Sequence, residues 1–259
     1  MSPVRPNPTR IACIGGSACF TLEQIGARDR LVGWTEDASP SLLRDSGVLL
    51  GNPKEPDFGK LAKLQPELVL VDRFLCSGEA FAALSSEFPV YVLDATSLLD
   101  LRLELEELGS MLHMTDEFRA KSLELQAHEL RIRSEQLGAP PLRLLIPLSR
   151  EPWSIVGGKG FAADCLAVCA AKTAINNSEN RSEPWIPGQL RPEDYDALIL
   201  PTPSFTQEDG DVLAVAPELA DKPMRLLDER ALLWAGLYAL QGLQEICKVV
   251  HSLRHDLPG

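Results

Sequence analysis

The sequence lacks any apolar run near the roughly 20 residues that a membrane-spanning helix requires. It also lacks an excess of basic residues. Lys and Arg total 25 against 37 Asp and Glu, for a formal net charge of −12. Contacts with nucleic-acid phosphates need a basic face, so this charge argues against a nucleic-acid-binding role.

The first ten residues, MSPVRPNPTR, lack the apolar core of a secretory signal, and a strand-like run begins at Arg10. We therefore expect a cytoplasmic protein; the alternative is a periplasmic protein whose signal was removed. The six cysteines form no obvious disulfide framework for a chain of 259 residues, so we expect reduced thiols. They are Cys13, Cys19, Cys76, Cys165, Cys169 and Cys247.

Signals for catalysis and for a resident metal are also scarce. None of the four histidines falls in the loops that follow the predicted strands. Cys165 and Cys169 have the spacing of two metal ligands, but they lie in an apolar helix without a nearby His. The glycine-rich GGKG at 157–160 lacks the Ser or Thr of a nucleotide P-loop. We expect no catalytic residue, no metal ligand and no required cofactor, although catalytic triads are recognised by geometry rather than sequence order.

Apolar strands alternate with helices over residues 1–113, for example ELVLVD at 67–72 followed by a helix at 77–87. The alternation restarts at LRLLIPL, residues 142–148. This pattern is typical of parallel sheets with helices on both faces. We predict an α/β protein of two Rossmann-like lobes, at 1–113 and 139–259, with a connecting helix at 114–138.

The connecting helix carries two apolar lines. Phe118, Leu125 and Ile132 recur every seven residues, and so do Leu123, Leu130 and Leu137. At 100° per residue the lines lie roughly 100–140° apart, a pattern that fits either a broad-faced surface helix or a helix lying between two bodies. The α/β pattern on both sides of it favours the second, a helix packed against both lobes. Gly138 can end it in a left-handed conformation, and two prolines follow.

Several stretches resemble the cobalamin- and siderophore-type substrate-binding proteins, in which one rigid helix joins two α/β lobes. They are RIACIGGSACFTLEQIGARDRLVGW, FGKLAKLQPELVLVD, FPVYVLDATSLLDL and REPWSIVGGKGFAADCLAVCAA. Together they span nearly the whole chain. The resemblance implies non-catalytic binding of a corrinoid such as cobalamin, a haem or an iron-siderophore-type chelate in a cleft between the lobes. The alternative is a cofactor-handling enzyme or accessory protein on the same frame.

In such a fold the loops at the carboxyl ends of the strands line the ligand site. Aromatic faces would cover a planar ligand, and arginines would bind its carboxylates or phosphates. The candidate ligand-binding residues are Ser17, Trp34, Asn52, Arg73, Phe74, Arg150, Trp153, Trp185 and Ser204.

Relatives that serve ABC importers dock on the permease through one acidic residue on each lobe. At the first of these positions this chain has Gly59, followed by Lys60. At the second, the helix before Ala197 must be short, and Glu193 and Asp194 are the possible substitutes. We therefore expect a ligand carrier or sensor that does not feed a permease.

Overall fold

The computed structural model describes residues 6–38, 47–186, 188–206 and 221–257. The chain divides into two compact units. The first comprises residues 1–95, 99–125 and 234–239, and the second comprises residues 96–98, 126–233 and 240–259. No helix among the described residues is long and apolar enough to cross a membrane.

The first unit is built on a five-stranded parallel sheet in the order β3-β2-β1-β6-β7. These strands are β1 (Ile11–Ile14), β2 (Leu31–Trp34), β3 (Val48–Leu49), β6 (Leu68–Asp72) and β7 (Val90–Leu93). A two-stranded antiparallel hairpin is formed by β4 (Gly51–Asn52) and β5 (Glu55–Pro56). The helices are α1 (Gly16–Gln24), α2 (Phe58–Leu64), α3 (Gly78–Glu87) and α4 (Leu98–Met111).

The central strands of this sheet are buried on both faces. Every residue of β1 and β6 is buried, as their continuous apolar runs predict. Side chains from α2 and α3, including Leu61 and Leu84, pack against Val69 and Val71. Asp57 and Ser77 cap the two helices by accepting the backbone N–H of the third residue along, so each helix begins where its cap lies.

The predicted connecting helix is confirmed as α5 (Thr115–Glu135), which is 21 residues long and unbroken. Gly138 follows it with a φ of 81°, the left-handed conformation that ends many helices. Its residues up to Leu125 are counted with the first unit and those from Gln126 with the second.

The prediction of two buried lines on this helix is wrong. Phe118, Leu125 and Ile132 are buried. Leu123, Leu130 and Leu137 are 57%, 59% and 89% exposed. One face of α5 is therefore covered and the other meets solvent. The seven-residue recurrence marks both lines of residues equally, so it cannot show which of them is buried.

The second unit contains two sheets. A four-stranded parallel sheet has the order β11-β8-β13-β14, and a three-stranded antiparallel sheet has the order β12-β10-β9. The strands are β8 (Leu142–Leu145), β9 (Pro147–Arg150), β10 (Trp153–Val156), β11 (Ala171–Thr173), β12 (Ser182–Pro184), β13 (Ala197–Thr202) and β14 (Met224–Asp228). The sequence SREPWSIVGGKG, residues 149–160, predicts a loop, but part of it forms the β9–β10 hairpin. A further strand predicted at 211–216 lies outside the described residues.

The long carboxyl-terminal helix expected over 228–253 is interrupted. The helices of this unit are α6 (Phe161–Val168), α7 (Arg230–Leu233) and α8 (Ala239–His255). Residues 234–238 are not helical. The backbone N–H of Leu237 donates to the Thr21 hydroxyl at 3.1 Å, and both residues are counted with the first unit. A tertiary hydrogen bond therefore replaces helical bonds that local propensity favours.

The expectation of six reduced thiols is wrong for two of them. Cys169, at the end of α6, is bonded to Cys247 on α8, with 5.1 Å between the Cα atoms. Cys13, Cys19, Cys76 and Cys165 are free and buried. Spacing along the chain could not reveal the bond, because its partners are 78 residues apart.

Candidate functional site

The carboxyl end of the first unit's sheet holds a buried polar cluster. The strand order reverses beside β1, where open α/β sheets characteristically bind ligands. The Thr35 hydroxyl accepts the backbone N–H of Gly15 at 2.9 Å and donates to Asp37 at 2.6 Å. Asp37 in turn accepts the N–H of Gly16 at 2.7 Å. The turn after β1 is therefore held by side chains from the segment that follows β2.

Asp72, the last residue of β6, lies in the same cluster. Ser17 donates its hydroxyl to the Asp72 carboxylate, which also accepts the backbone N–H of Phe74 at 3.0 Å. Burial raises the pKa of Asp72 to about 6, and these hydrogen bonds to the carboxylate oppose the rise. Gly15 has a φ of 112°, and a Cβ there would meet the Asp72 side chain, so only glycine fits this turn.

Aromatic side chains cover this end of α1. A Cβ on Gly16 would clash with the Trp234 indole. Phe20, Trp234 and Tyr238 are in mutual ring contact, with centroids 5.3–6.1 Å apart. Ser17 and Trp34 are also buried, and the Trp34 ring lies against Gly47. The expectation that Ser17 and Trp34 present their side chains to a ligand is therefore not met in this structure.

The other candidates of the first unit are accessible. Asn52 is exposed on the β4–β5 hairpin, where its amide donates to Glu36 at 2.9 Å. Phe74 is 38% exposed in the turn after β6. The Arg73 guanidinium lies 4.9 Å from the Phe81 ring centroid and donates to the Cys76 carbonyl at 3.1 Å. An apolar face and a cation therefore lie side by side at this turn.

In the second unit the structure brings four of the predicted residues together. The rings of Trp153 and Trp185 meet edge to face, with centroids 5.4 Å apart. The Trp185 backbone N–H donates to the Trp153 carbonyl at 2.9 Å. Trp153 is half-buried, whereas Trp185 is 5% exposed. Trp185 thus supports Trp153 from within, which corrects the prediction that both indoles present a face to the ligand.

Phe205 completes this group and was missed by the sequence analysis. Its ring centroid lies 6.3 Å from that of Trp153, and the Arg150 guanidinium lies 4.2 Å from it. Arg150 also donates to the Ser204 carbonyl. The Ser204 hydroxyl donates to Glu229 at 2.5 Å. The prolines at 201 and 203 predict a turn, but no pattern in the sequence predicts that the Phe205 ring packs against the Arg150 guanidinium.

The glycines at 157–160 serve close packing. A Cβ on Gly157 would meet the Asn180 carbonyl, and one on Gly158 would lie 2.5 Å from the Asn176 and Ser178 carbonyls. The adjoining groove holds about 250 Å³ and is lined by both Lys159 and Asp164. The Asp164 carboxylate accepts the backbone N–H of Leu98 at 2.8 Å. These contacts explain the glycines without an anion.

The acidic residues considered for docking differ in their contacts. The helix predicted to hold them is a single 3-10 turn, Pro192–Asp194. Asp194 accepts the Arg191 backbone N–H at 3.0 Å and pairs with its guanidinium at 3.2 Å, which lowers the pKa of Asp194. Glu193 also approaches Arg191 at 3.2 Å, but its side chain is 64% exposed. In the first unit Gly59 has no carboxylate, and the neighbouring Asp57 caps α2.

The chain has two α/β units with parallel sheets, and the residues of one unbroken helix are divided between them. It also has a group of aromatic side chains and an arginine near the strand ends. Together these features are typical of a substrate-binding protein. A sequence profile of the periplasmic binding protein family matches residues 11–223. The chain therefore belongs to that family of binding proteins. No curated protein matches the sequence.

Solved structures share the fold at low sequence identity. A periplasmic haem-binding protein from Pseudomonas aeruginosa superposes with a TM-score of 0.80 at 18% identity, covering 97% of this chain and 94% of that one. An ABC transporter substrate-binding protein from Listeria monocytogenes gives 0.77 at 17%, covering 93% and 97%. The vitamin B12 binding protein BtuF of Vibrio cholerae gives 0.76 at 14%, covering 96% and 98%.

Proposed function

We propose that this protein binds a planar metal chelate of the corrinoid or haem type, or an iron-siderophore-type chelate, without covalent chemistry. The observation that carries the proposal is the half-buried Trp153 indole, fixed from behind by Trp185 and flanked by Arg150 over Phe205. A rigid aromatic face buries much ligand area at little conformational cost. A vitamin B12 binding protein and a haem-binding protein share this fold.

The charge beside the indole bears on the choice among these ligands. Arg150 is the cross-strand partner of Trp153 in the β9–β10 hairpin. In the first unit Arg73 directly precedes the exposed Phe74 in the chain. Arginine binds carboxylates in a two-pronged geometry, which suits a planar ligand with peripheral carboxylates, as haem has. We therefore rank haem above corrinoids, whose periphery carries amides.

We propose that the metal arrives inside the ligand and that the protein needs no cofactor of its own. Among the described residues, no group of three or more His, Cys, Asp or Glu side chains could hold a metal ion. The ligand-binding residues in this proposal are Asn52, Arg73, Phe74, Arg150, Trp153 and Ser204, with Trp185 as the support of Trp153.

The test is incubation of the protein with haemin, cobalamin or cobinamide under anaerobic conditions, followed by desalting and visible absorbance. A stoichiometric amount of one chelate should remain with the protein. Trp153→Ala should weaken its binding at least about tenfold, since an aromatic anchor is removed, while Trp153→Phe retains most of the affinity. Retention of none of the three, or equal binding by Trp153→Ala, would refute the proposal.

We further propose that the protein works in an oxidising compartment, contrary to the cytoplasmic location expected from the sequence. The Cys169–Cys247 bond carries this step, because structural disulfides persist outside the reducing cytoplasm. Alkylation of the protein as isolated from its native cells, before and after reduction, tests it. Two further cysteines should become reactive in the unfolded chain only after reduction; equal labelling would contradict the proposal.

Members of this family work with ABC importers, and the expected lack of a permease partner stays a prediction. We propose that coupling to an importer would depend on Glu193 rather than Asp194, because Asp194 is held by the Arg191 backbone and guanidinium. In a vesicle uptake assay Glu193→Lys should abolish ligand-dependent stimulation while Asp194→Asn retains it. Uptake that neither variant changes would exclude this surface.

A further inference from the structure

An exposed pair of histidines lies at the end of α8. His251 and His255 are four residues apart, so they share one face of the helix. Their ring centroids are 4.5 Å apart, and their Nε2 atoms are 3.0 Å apart. Both side chains are exposed. We propose that this pair is a surface site for a divalent transition-metal ion.

The spacing of the two nitrogens fits a single metal ion. Bonds of about 2.0–2.1 Å join zinc to imidazole nitrogens, and two such bonds close over a 3.0 Å separation at roughly 94°. That angle lies close to the square-planar and octahedral value and within reach of a tetrahedral one. The separation therefore allows one ion to bind both nitrogens once the rings turn their Nε2 lone pairs toward it.

The helix holds the pair in place. Leu243, Ile246, Val250 and Leu253 are buried on the opposite side of α8, which fixes its rotation. Both histidines lie in the last two turns of a helix that ends at His255. The backbone carbonyls at a helix carboxyl terminus carry partial negative charge, which favours a cation there.

Two arginines near the histidine pair bind other groups. Arg254 donates to the carbonyls of Pro140, at 2.7 Å, and Ala170. Arg225 pairs with Asp256 and donates to Ser252 at 3.0 Å. Lys248, one turn before His251, is exposed and solvated. Charge repulsion at the pair is therefore small.

In the free protein one Nε2 donates its proton to the other. A metal ion would take the place of this proton, which moves to Nδ1 of the same ring by tautomerisation, and both Nε2 lone pairs then bind the ion. Within the described part of the chain no third His, Cys, Asp or Glu joins the pair, so water would fill the remaining positions. Imidazole ligands with open positions favour Cu²⁺ over Ni²⁺, and both over Co²⁺ and Mn²⁺.

Calorimetric titration of the chelator-treated full chain with CuCl₂, NiCl₂ and MnCl₂ tests the site. One equivalent of Cu²⁺ should bind, Ni²⁺ more weakly, and Mn²⁺ weakest. Removing a residue that merely orients a ligand costs about 10–100-fold in affinity, so His251→Ala and His255→Ala should each weaken Cu²⁺ binding at least about tenfold. His113→Asn, at another exposed histidine, is the matched control and should keep the affinity.

The variants change only exposed side chains, and circular dichroism confirms that they are folded. A rise in Tm with Cu²⁺ in the parent and the control, absent from both α8 variants, is the expected second readout. Copper affinity that both alanine variants retain, or that the His113 control loses equally, would overturn the proposal.

Discussion

At the scale of single residues, the two tryptophans beside Arg150 have different roles although the sequence presents them alike. Both lie next to a proline, in segments that sequence alone assigns to loops. The structure buries Trp185 among Leu145, Tyr195 and Leu198 and leaves Trp153 half-exposed at its edge. The difference in burial assigns Trp185 to supporting Trp153 and leaves Trp153 to contact a ligand. This burial depends on strands that are far apart in the chain.

Trp185→Ala should therefore destabilise the protein by about 3–5 kcal/mol, the usual cost of removing a large buried side chain. Trp153→Ala should cost about 1–2 kcal/mol, because part of its ring is already in water. Urea denaturation of the two variants measures the difference. Equal losses would assign both indoles to the core.

Asp72 should make stability depend on pH in the direction opposite to most carboxylates. Its pKa is raised by burial to about 6, above its value in an unfolded chain, so the folded state binds the proton more tightly. This contribution is present below about pH 4 and is lost as pH rises through 6. Two pKa units correspond to about 3 kcal/mol, which is an upper limit.

Asp72→Asn keeps an acceptor for Ser17 and the Phe74 N–H but cannot titrate. The difference in free energy of unfolding between the parent and this variant should change by about 2–3 kcal/mol from pH 4 to 7. Glu104, whose pKa burial raises to about 7, acts in the same direction and is common to both proteins. A difference that is constant with pH would contradict the assignment.

At the scale of elements, the strands and the long helix were predictable because their signals are local. The LVLV run of β6 is apolar throughout and lies in the middle of the sheet. Thr115, the acidic first turn and Gly138 mark α5 at both ends. The break between α7 and α8 was not predictable, since Leu237 leaves the helix for a bond to Thr21, more than 200 positions earlier.

The two lines of α5 give a matched pair of substitutions. Leu125→Ala should cost about 2–5 kcal/mol, because Leu125 is fully buried. Leu130→Ala should change stability by less than about 0.5 kcal/mol, because Leu130 is 59% exposed. Thermal denaturation compares them. A large loss at Leu130 would restore the discarded interpretation that both faces are packed.

At the scale of the whole molecule, the disulfide links two helical segments of the second unit that are far apart in the sequence. It joins the end of α6 to α8 across 78 residues of sequence. The candidate site shows the same dependence on distant partners: Arg150, Trp153 and Ser204 were predictable as strand-end residues, but Phe205 and the covering of the α1 end by Trp234 were not. The contact by which Trp234 covers the α1 end is made at Gly16, and like Phe205 it arises from packing between segments that no local pattern links.

Cys169→Ala combined with Cys247→Ala should lower the free energy of unfolding by about 2–5 kcal/mol, since the unfolded chain loses a long closed loop. A reducing agent should lower the Tm of the parent protein toward that of the double variant and leave the variant unchanged. Cys13→Ala, at a free buried thiol, should retain sensitivity to the reducing agent and serves as the control.

The short aromatic segment at 234–239, counted with the first unit although its flanks belong to the second, bears on how the chain is made. A ribosome releases β1 and α1 more than 200 residues before Trp234. Until then, Gly16 and Phe20 lack the rings that cover them. The amino-terminal unit cannot finish folding until residues 234–239 have been made, and a fragment ending at residue 113 should expose that apolar surface and aggregate.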